Sequence, residues 1–213
     1  MTSVQDLRDG DAARTIRRHR LIVVLRRVEP QARLLALAEE LAEAGVRAFE
    51  VTLDSASGAD DLGALRSHLA RRADGPFLVG AGTVLNARQL DAAARAGADF
   101  AVAPILDIEL LRASLTRGLP FIPGALTPTE IATAWDAGAT FVKLFPASAV
   151  GPALVRELSG PLPDVAVIPT GGVDATNATA FLDAGAVAVG IGGAVVRADA
   201  AERRAIIAAV ARA

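Results

Sequence analysis

The chain has 213 residues, enough for one large domain with a real core, and its 22 Lys and Arg against 24 Asp and Glu leave a formal net charge of −2. Nucleic acid and anionic membranes are therefore not expected as partners, since both need a clustered basic excess; the expected partner is a small molecule. The absence of Cys excludes disulfides, thiol nucleophiles and thiolate metal sites, and 52% hydrophobic residues with only 4% aromatic require a core of Ala, Val, Leu and Ile at close quarters.

The opening segment, with Asp6, Arg8, Asp9, Asp11, Arg14, Arg17 and Arg18, is too charged for a secretion signal, so a cytoplasmic address is expected and the segment reads as a polar helix. No strand-like apolar run near it approaches the roughly 20 residues of a membrane span. From there, short runs rich in Val, Ile and Phe alternate with Ala-rich segments of helical period. Strands are predicted at 21–25, 48–53, 77–81, 100–103, 121–123, 140–145, 165–169 and 187–191. Helices are predicted at 30–44, 58–72, 87–96, 108–117, 128–137, 149–158, 176–184 and 200–213.

No linker or composition break interrupts the alternation, so residues 1–213 read as a single domain with an N-terminal helix before the first strand. Ala44-Gly45-Val46, Ala96-Gly97-Ala98, Ala137-Gly138-Ala139 and Ala184-Gly185-Ala186 mark helix ends before alternate strands, because glycine adopts the positive φ needed just past a helix C-terminus. An eightfold β/α chain of this length fits an α/β (β/α)8 TIM barrel. A doubly wound open sheet uses the same alternation and is the competing architecture. His19 and His68 lie far apart among charged helical neighbours and read as solvated surface, so neither a His metal cluster nor a His-dependent triad is expected. Trp135, on the fifth predicted helix, serves either ordinary packing or an interface.

Polar residues inside strands carry the chemistry. Alternation in 48–53 puts Phe49, Val51 and Leu53 under the helices and turns Glu50 inward with Ala48 and Thr52. In 140–145, Val142 and Leu144 face the helices while Phe141, Lys143 and Phe145 look inward. Burying either charge alone costs on the order of several kcal/mol, so the two are paired for structural reasons or kept for function. In the functional reading, the Lys143 amine attacks a carbonyl carbon to form a Schiff base and Glu50 shuttles protons.

Three glycine-rich segments follow strands. Gly80-Ala81-Gly82-Thr83-Val84-Leu85 and Gly190-Ile191-Gly192-Gly193-Ala194-Val195 lack the third glycine of a dinucleotide fingerprint, so a nicotinamide site is a weak reading. Gly171-Gly172 after the seventh strand and Gly192-Gly193 after the eighth stand where such barrels cradle phosphate on backbone amides. Tight turns are the alternative explanation of both doublets.

Five segments in order, Phe49-Glu50-Val51-Thr52-Leu53, Val79-Gly80-Ala81-Gly82-Thr83-Val84-Leu85-Asn86, Ile122-Pro123-Gly124, Val142-Lys143-Leu144-Phe145-Pro146-Ala147 and Pro169-Thr170-Gly171-Gly172-Val173, resemble the motifs of a known family. It is the 2-keto-3-deoxy-6-phosphogluconate / 4-hydroxy-2-oxoglutarate aldolase family, and the resemblance runs from about Leu21 to Val195. It implies a class I, metal-independent, cofactor-free aldolase on a (β/α)8 barrel, a homotrimer, that cleaves a phosphorylated keto acid to pyruvate and glyceraldehyde 3-phosphate. Carried onto this chain, it implies Lys143 as the Schiff-base lysine, Glu50 as general acid/base and Thr83 as a hydrogen-bond donor to the pyruvate carboxylate. Pro104 and Phe145 would wall the pocket, Thr170 would contact substrate, and Gly171, Gly172, Gly192 and Gly193 would bind phosphate.

The chain also departs from the family. Many gluconate-type members carry an arginine where this chain has Asp54; galactonate-type members place one at the end of the first strand, as Arg26 is here, and Arg26 is the candidate carboxylate clamp. Ala194 stands in place of a phosphate-binding Ser, and Ile105 in place of a glycine. Thr170 favours the phosphogluconate substrate and Arg26 the phosphogalactonate epimer, and the gluconate is the first expectation. A non-covalent phosphosugar isomerase or epimerase using Glu50 as base, and a non-catalytic keto-acid-binding barrel, are the remaining alternatives.

Overall fold

The computed structural model describes residues 3–212. Helices α1 (Val4–Arg8) and α2 (Asp11–His19) precede β1 (Leu21–Leu25), after which strands and helices alternate. They are α3 (Gln31–Glu43), β2 (Ala48–Thr52), α4 (Gly58–Leu69), β3 (Leu78–Gly82), α5 (Ala87–Arg95), β4 (Ala101–Val102) and α6 (Ile108–Thr116). There follow β5 (Phe121–Ile122), β6 (Gly124–Ala125), α7 (Pro128–Asp136), β7 (Val142–Leu144), α8 (Gly151–Ser159), β8 (Val167–Pro169), α9 (Ala178–Asp183), β9 (Val189–Ile191), α10 (Gly193–Arg197) and α11 (Ala200–Arg212).

All strand pairs are parallel, in a six-stranded sheet of order β5-β4-β3-β2-β1-β9 and a three-stranded sheet β6-β7-β8. Parallel neighbours need crossover helices, and α3 to α9 supply them; the result is a barrel-like α/β wall with helices outside. The helix ends follow the glycine marks: Gly45, Gly97, Gly138 and Gly185 have φ of 105°, 80°, 103° and 108°. No helix among the described residues is long and apolar enough to cross a membrane.

Four local expectations are corrected. The leading helix is two, because Gly10, extended at φ −70°, breaks the run and starts α2. The strand expected at 121–123 is cut at Pro123, which has no N–H to give a ladder, so β5 pairs with β4 while β6 pairs with β7. The helix expected from 149 begins as a tight turn at Ala147–Ala149 before α8. His19 and His68 are half-buried rather than surface-solvated, and His68 Nε2 lies 2.8 Å from Glu39 Oε2 on the adjacent α3.

Two apolar layers divide the core. Phe49, Val51, Leu53, Val142 and Leu144 pack with the helices, as strand alternation requires. A second cluster fills the interior: Ile22, Ala48, Leu78, Phe100, Val102, Ile122, Phe141, Ala166, Ile168 and Ala188, with Ala13 and Ile16 of α2 packed against them. Helix α2 therefore covers the interior where the strands begin, and the Arg17 guanidinium lies 4.9 Å from the centre of the Phe141 ring. The opposite end, where the strands finish, carries the site.

Candidate active site

Extending each strand's inward parity past the interior cluster reaches the polar residues. Ile22 leads to Val24 and Arg26, Ala48 to Glu50 and Thr52, Phe141 to Lys143 and Phe145, Ile168 to Thr170, and Ala188 to Gly190 and Gly192. A cavity of about 330 Å³ opens among them, lined by Val24, Arg26, Lys143, Phe145, Thr170, Gly171, Gly172, Gly190, Gly192, Gly193 and Arg197, among others. Glu50, Thr83 and Pro104 do not line it; Glu50 meets it through Lys143 and Thr83 through Arg26.

Lys143 and Glu50 are both buried, at 4% and 2% exposure, and Nζ lies 3.8 Å from Oε1. That distance is too long for a hydrogen bond but close enough for the ion pair to offset part of the cost of burying either charge alone. Glu50 Oε1 accepts no hydrogen bond from the described residues, so it is a buried acceptor with capacity to spare. The ammonium nitrogen also sits 5.2 Å from the centre of the Phe145 ring.

Two glycines make room for inward side chains, one of them for Glu50. Gly80 and Gly82 lie in register with Glu50 and Thr52. A Cβ at Gly82 would overlap Glu50 Oε1, and one at Gly80 would overlap the Phe100 ring. These glycines are hollows that receive inward side chains, which accounts for a Gly-Ala-Gly that only half matches a nucleotide motif.

Arg26 lies at the rim, its side chain half exposed. Its Nη1 donates to Asp54 Oδ2 at 2.9 Å and its Nη2 to Thr83 Oγ1 at 3.2 Å, while Arg27 Nε lies 3.3 Å from the same Asp54 oxygen. Burial pushes the Asp54 carboxyl up, but the Thr52 hydroxyl beside it and the Arg26 and Arg27 guanidiniums outweigh burial and hold it below the ordinary carboxylate range. Thr83 takes a left-handed backbone at φ 57°, an uncommon conformation for a β-branched residue and a mark of a constrained position.

On the far side, Gly171 and Gly172 have φ of 85° and 78°, which side chains rarely adopt, and a Cβ at Gly172 would stand 2.5 Å from Ser148 Cβ. Thr170 is buried, and its hydroxyl donates to Ile168 O at 3.3 Å. A Cβ at Gly124 would overlap the Pro104 carbonyl, so this glycine allows the Pro104–Ile105 backbone to approach. Ile105 itself is 55% exposed. Arg197 was missed by the sequence reading; its signal is its place four residues after Gly193 on α10.

An amine and a carboxylate facing each other in an apolar interior, open on one side to a small polar cavity, equip a protein to make and break carbon–carbon bonds next to a carbonyl, and the chain is an aldolase. It belongs to the KDPG and KHG aldolase family, whose model matches residues 13–210. The 2-dehydro-3-deoxy-phosphogluconate aldolase of Pseudomonas aeruginosa is 40% identical over 170 residues, 79% of this chain and 74% of that one. The 2-dehydro-3-deoxy-6-phosphogalactonate aldolase of Escherichia coli is 37% identical over 179 residues, 84% and 85% of the two chains. Among solved structures, a KDPG aldolase from Legionella pneumophila with pyruvate captured at low pH as a covalent carbinolamine intermediate superposes with a TM-score of 0.80 at 27% identity, covering 96% of this chain and 98% of that one.

Proposed function

We propose that this chain cleaves 2-keto-3-deoxy-6-phosphogluconate to pyruvate and glyceraldehyde 3-phosphate through a Schiff base on Lys143. The observation that carries the reading is the buried Lys143–Glu50 pair, Nζ to Oε1 3.8 Å, at the edge of the cavity. The Lys143 amine adds to the C2 carbonyl, and loss of water from the carbinolamine leaves an iminium. Glu50 takes the proton of the C4 hydroxyl; the C3–C4 bond breaks, its electron pair passes into the C2–C3 enamine, and glyceraldehyde 3-phosphate leaves as the aldehyde. The same carboxyl returns the proton to C3, and water releases pyruvate and the free amine. In this reading Arg26 and Thr83 hold the carboxylate, Phe145 and Pro104 wall the site, and Gly171, Gly172, Gly192 and Gly193 offer their amides to the phosphate. 4-Hydroxy-2-oxoglutarate, which presents the same 2-keto-4-hydroxy acid unit, is a further substrate.

The closed (β/α)8 barrel belongs to the same proposal. Its support is a parallel bridge between Thr170 and Gly190, a bond from Val187 N–H to Val167 O of 3.1 Å, and one from Thr140 N–H to Phe121 O of 3.0 Å, which join the edges of the two sheets. The galactonate epimer is the second reading, favoured by Arg26 in the cavity wall and opposed by Thr170 on its other side. The ratio of cleavage rates on the two epimers decides between them, and a strong galactonate preference reverses the order.

Pyruvate followed by borohydride tests the chemistry. An adduct mapped to Lys143, absent from Lys143→Ala, is expected, with Glu50→Gln still trapping pyruvate but cleaving substrate about 10²- to 10⁴-fold more slowly. Folded wild-type protein that gives no adduct returns the site to the isomerase or binding readings.

A further inference from the structure

We propose that Arg197 is the charged half of the phosphate site and sets the preference for phosphorylated over unphosphorylated keto acids; this rests on the aldolase reading above. Three cations line the cavity: Lys143, Arg26 and Arg197. Lys143 faces Glu50, and Arg26 is held by Asp54. Arg197 makes no hydrogen bond or ion pair with any of the described residues, so among them its guanidinium is the one lining cation with no carboxylate partner.

The backbone is built around that guanidinium. Arg197 ends α10 and comes back over the residue that begins it: a Cβ at Gly193 would stand 2.6 Å from Nη1 and 3.1 Å from Cζ and Nη2. Residues four apart share a helix face, and glycine at 193 lets the planar group lie against the chain beside Gly192 and Gly193. The second glycine of the doublet thus seats a cation as well as exposing an amide.

The charge balance of the cavity makes that cation necessary. Asp174 also lines it, and the Thr176 hydroxyl and backbone N–H hold its carboxyl below the usual range, so the wall keeps a negative charge. A phosphate monoester brings roughly −1.5 to −2 more at neutral pH. Backbone amides carry only partial charge, and Ala194 has no hydroxyl to add. A guanidinium binds phosphate through two parallel hydrogen bonds and supplies a full positive charge at that place.

The test compares Arg197→Ala and Arg197→Lys with wild type on phosphorylated 2-keto-3-deoxygluconate and on 4-hydroxy-2-oxoglutarate, beside trapping of pyruvate by borohydride. Arg197→Ala is expected to raise KM for the phosphorylated substrate about 10- to 100-fold. KM for 4-hydroxy-2-oxoglutarate and the yield of the pyruvate adduct are expected to stay within about twofold, and Arg197→Lys to restore part of the loss. Equal rises for both substrates, or none for the phosphorylated one, overturn the proposal. Inorganic phosphate, titrated by calorimetry, reads the site without turnover: wild type binds and Arg197→Ala does not, while equal binding by both overturns the assignment. Absence of the pyruvate adduct from wild type defeats the aldolase reading instead, and leaves the phosphate titration as the measure of Arg197.

Discussion

Arg26 and Asp54 form an ion pair, Nη1 to Oδ2 2.9 Å, that aims the free edge of the guanidinium at Thr83 Oγ1. The resemblance to gluconate-type members leads one to expect an arginine at Asp54; in this chain the carboxylate there supports a cation arriving from another strand. The side chain of Asp54 is largely buried while that of Arg26 is half exposed, so the carboxylate is the fixed member and the arginine the guided one. Arg26→Ala is therefore expected to raise KM for pyruvate in the aldol-forming direction about 10-fold or more, as loss of a charge-assisted hydrogen bond does. Asp54→Ala should raise it less, several-fold, because the guanidinium remains but is no longer aimed. An unchanged KM in Arg26→Ala removes the clamp from this residue.

The same carboxylate gives the site a pH dependence. Asp54 is held below its ordinary range in the folded protein. A depressed carboxyl contributes stability that is fully present above the unfolded value, near 3.9, and that is lost as pH falls through the folded value. Wild type is expected to lose stability towards pH 3 by a component that Asp54→Asn lacks, which urea melts at pH 3 and pH 6 measure. Identical losses in the two proteins refute the coupling. The effect is small, because half-exposed partners are screened by solvent.

Much of the site was legible because strand parity is a strong constraint. Once residues 48–53 and 140–145 are strands, Glu50 and Lys143 must point inward, and the structure has them facing each other. The glycine pairs could be placed because both follow strands. The break at Pro123 was visible in the residue itself, yet the consequence, two strand pieces serving different sheets, depends on neighbours far along the chain. The Asp54–Arg26 pair joins residues 28 apart, and no local pattern reports it. Arg197 was hidden for the opposite reason: α10 has only five residues, too few for a periodic signal, and its arginine reads as ordinary surface charge until Gly193 is seen beneath it. The placing of the Arg8 guanidinium over the Trp135 ring also needed α1, which the sequence shows only as a polar segment.

Gly82 and Gly63 separate glycines that hold a hollow from glycines that do not. A Cβ at Gly82 would overlap Glu50 Oε1, whereas one at Gly63, within α4, would meet only the Ala96 carbonyl oxygen at 4.0 Å. Gly82→Ala is expected to cost about 1–3 kcal/mol by overpacking the interior and to displace the Glu50 carboxyl, lowering activity with it. Gly63→Ala should stabilise the protein by about 0.5–1 kcal/mol through helix propensity and leave activity unchanged. Thermal melts and the cleavage assay on both variants check this, and a harmless Gly82→Ala would show that Glu50 has freedom the packing denies it.

Arg8 ties the leading helices to the wall. Its Nη2 donates to Trp135 O at 2.7 Å, its Nε donates to Ala139 O at 3.0 Å, and its guanidinium lies 3.5 Å from the centre of the Trp135 ring. The two carbonyls lie at and just beyond the C-terminal end of α7, where the helix dipole favours a cation, and Trp135 O also accepts from the Gly138 N–H at 3.0 Å. Burial nonetheless pushes the guanidinium's pKa down, so the contact is a partly desolvated one whose loss takes the Arg8 donor from the Ala139 carbonyl. Arg8→Ala is expected to destabilise the protein by about 1–3 kcal/mol. Trp135 is the sole tryptophan, so its emission reports the event directly: it should shift to the red in the variant while kcat on the phosphorylated substrate holds, because α1 lies at the end of the strands away from the cavity. A variant with unshifted emission and unchanged unfolding free energy would mean that α1 is held by its apolar contacts alone.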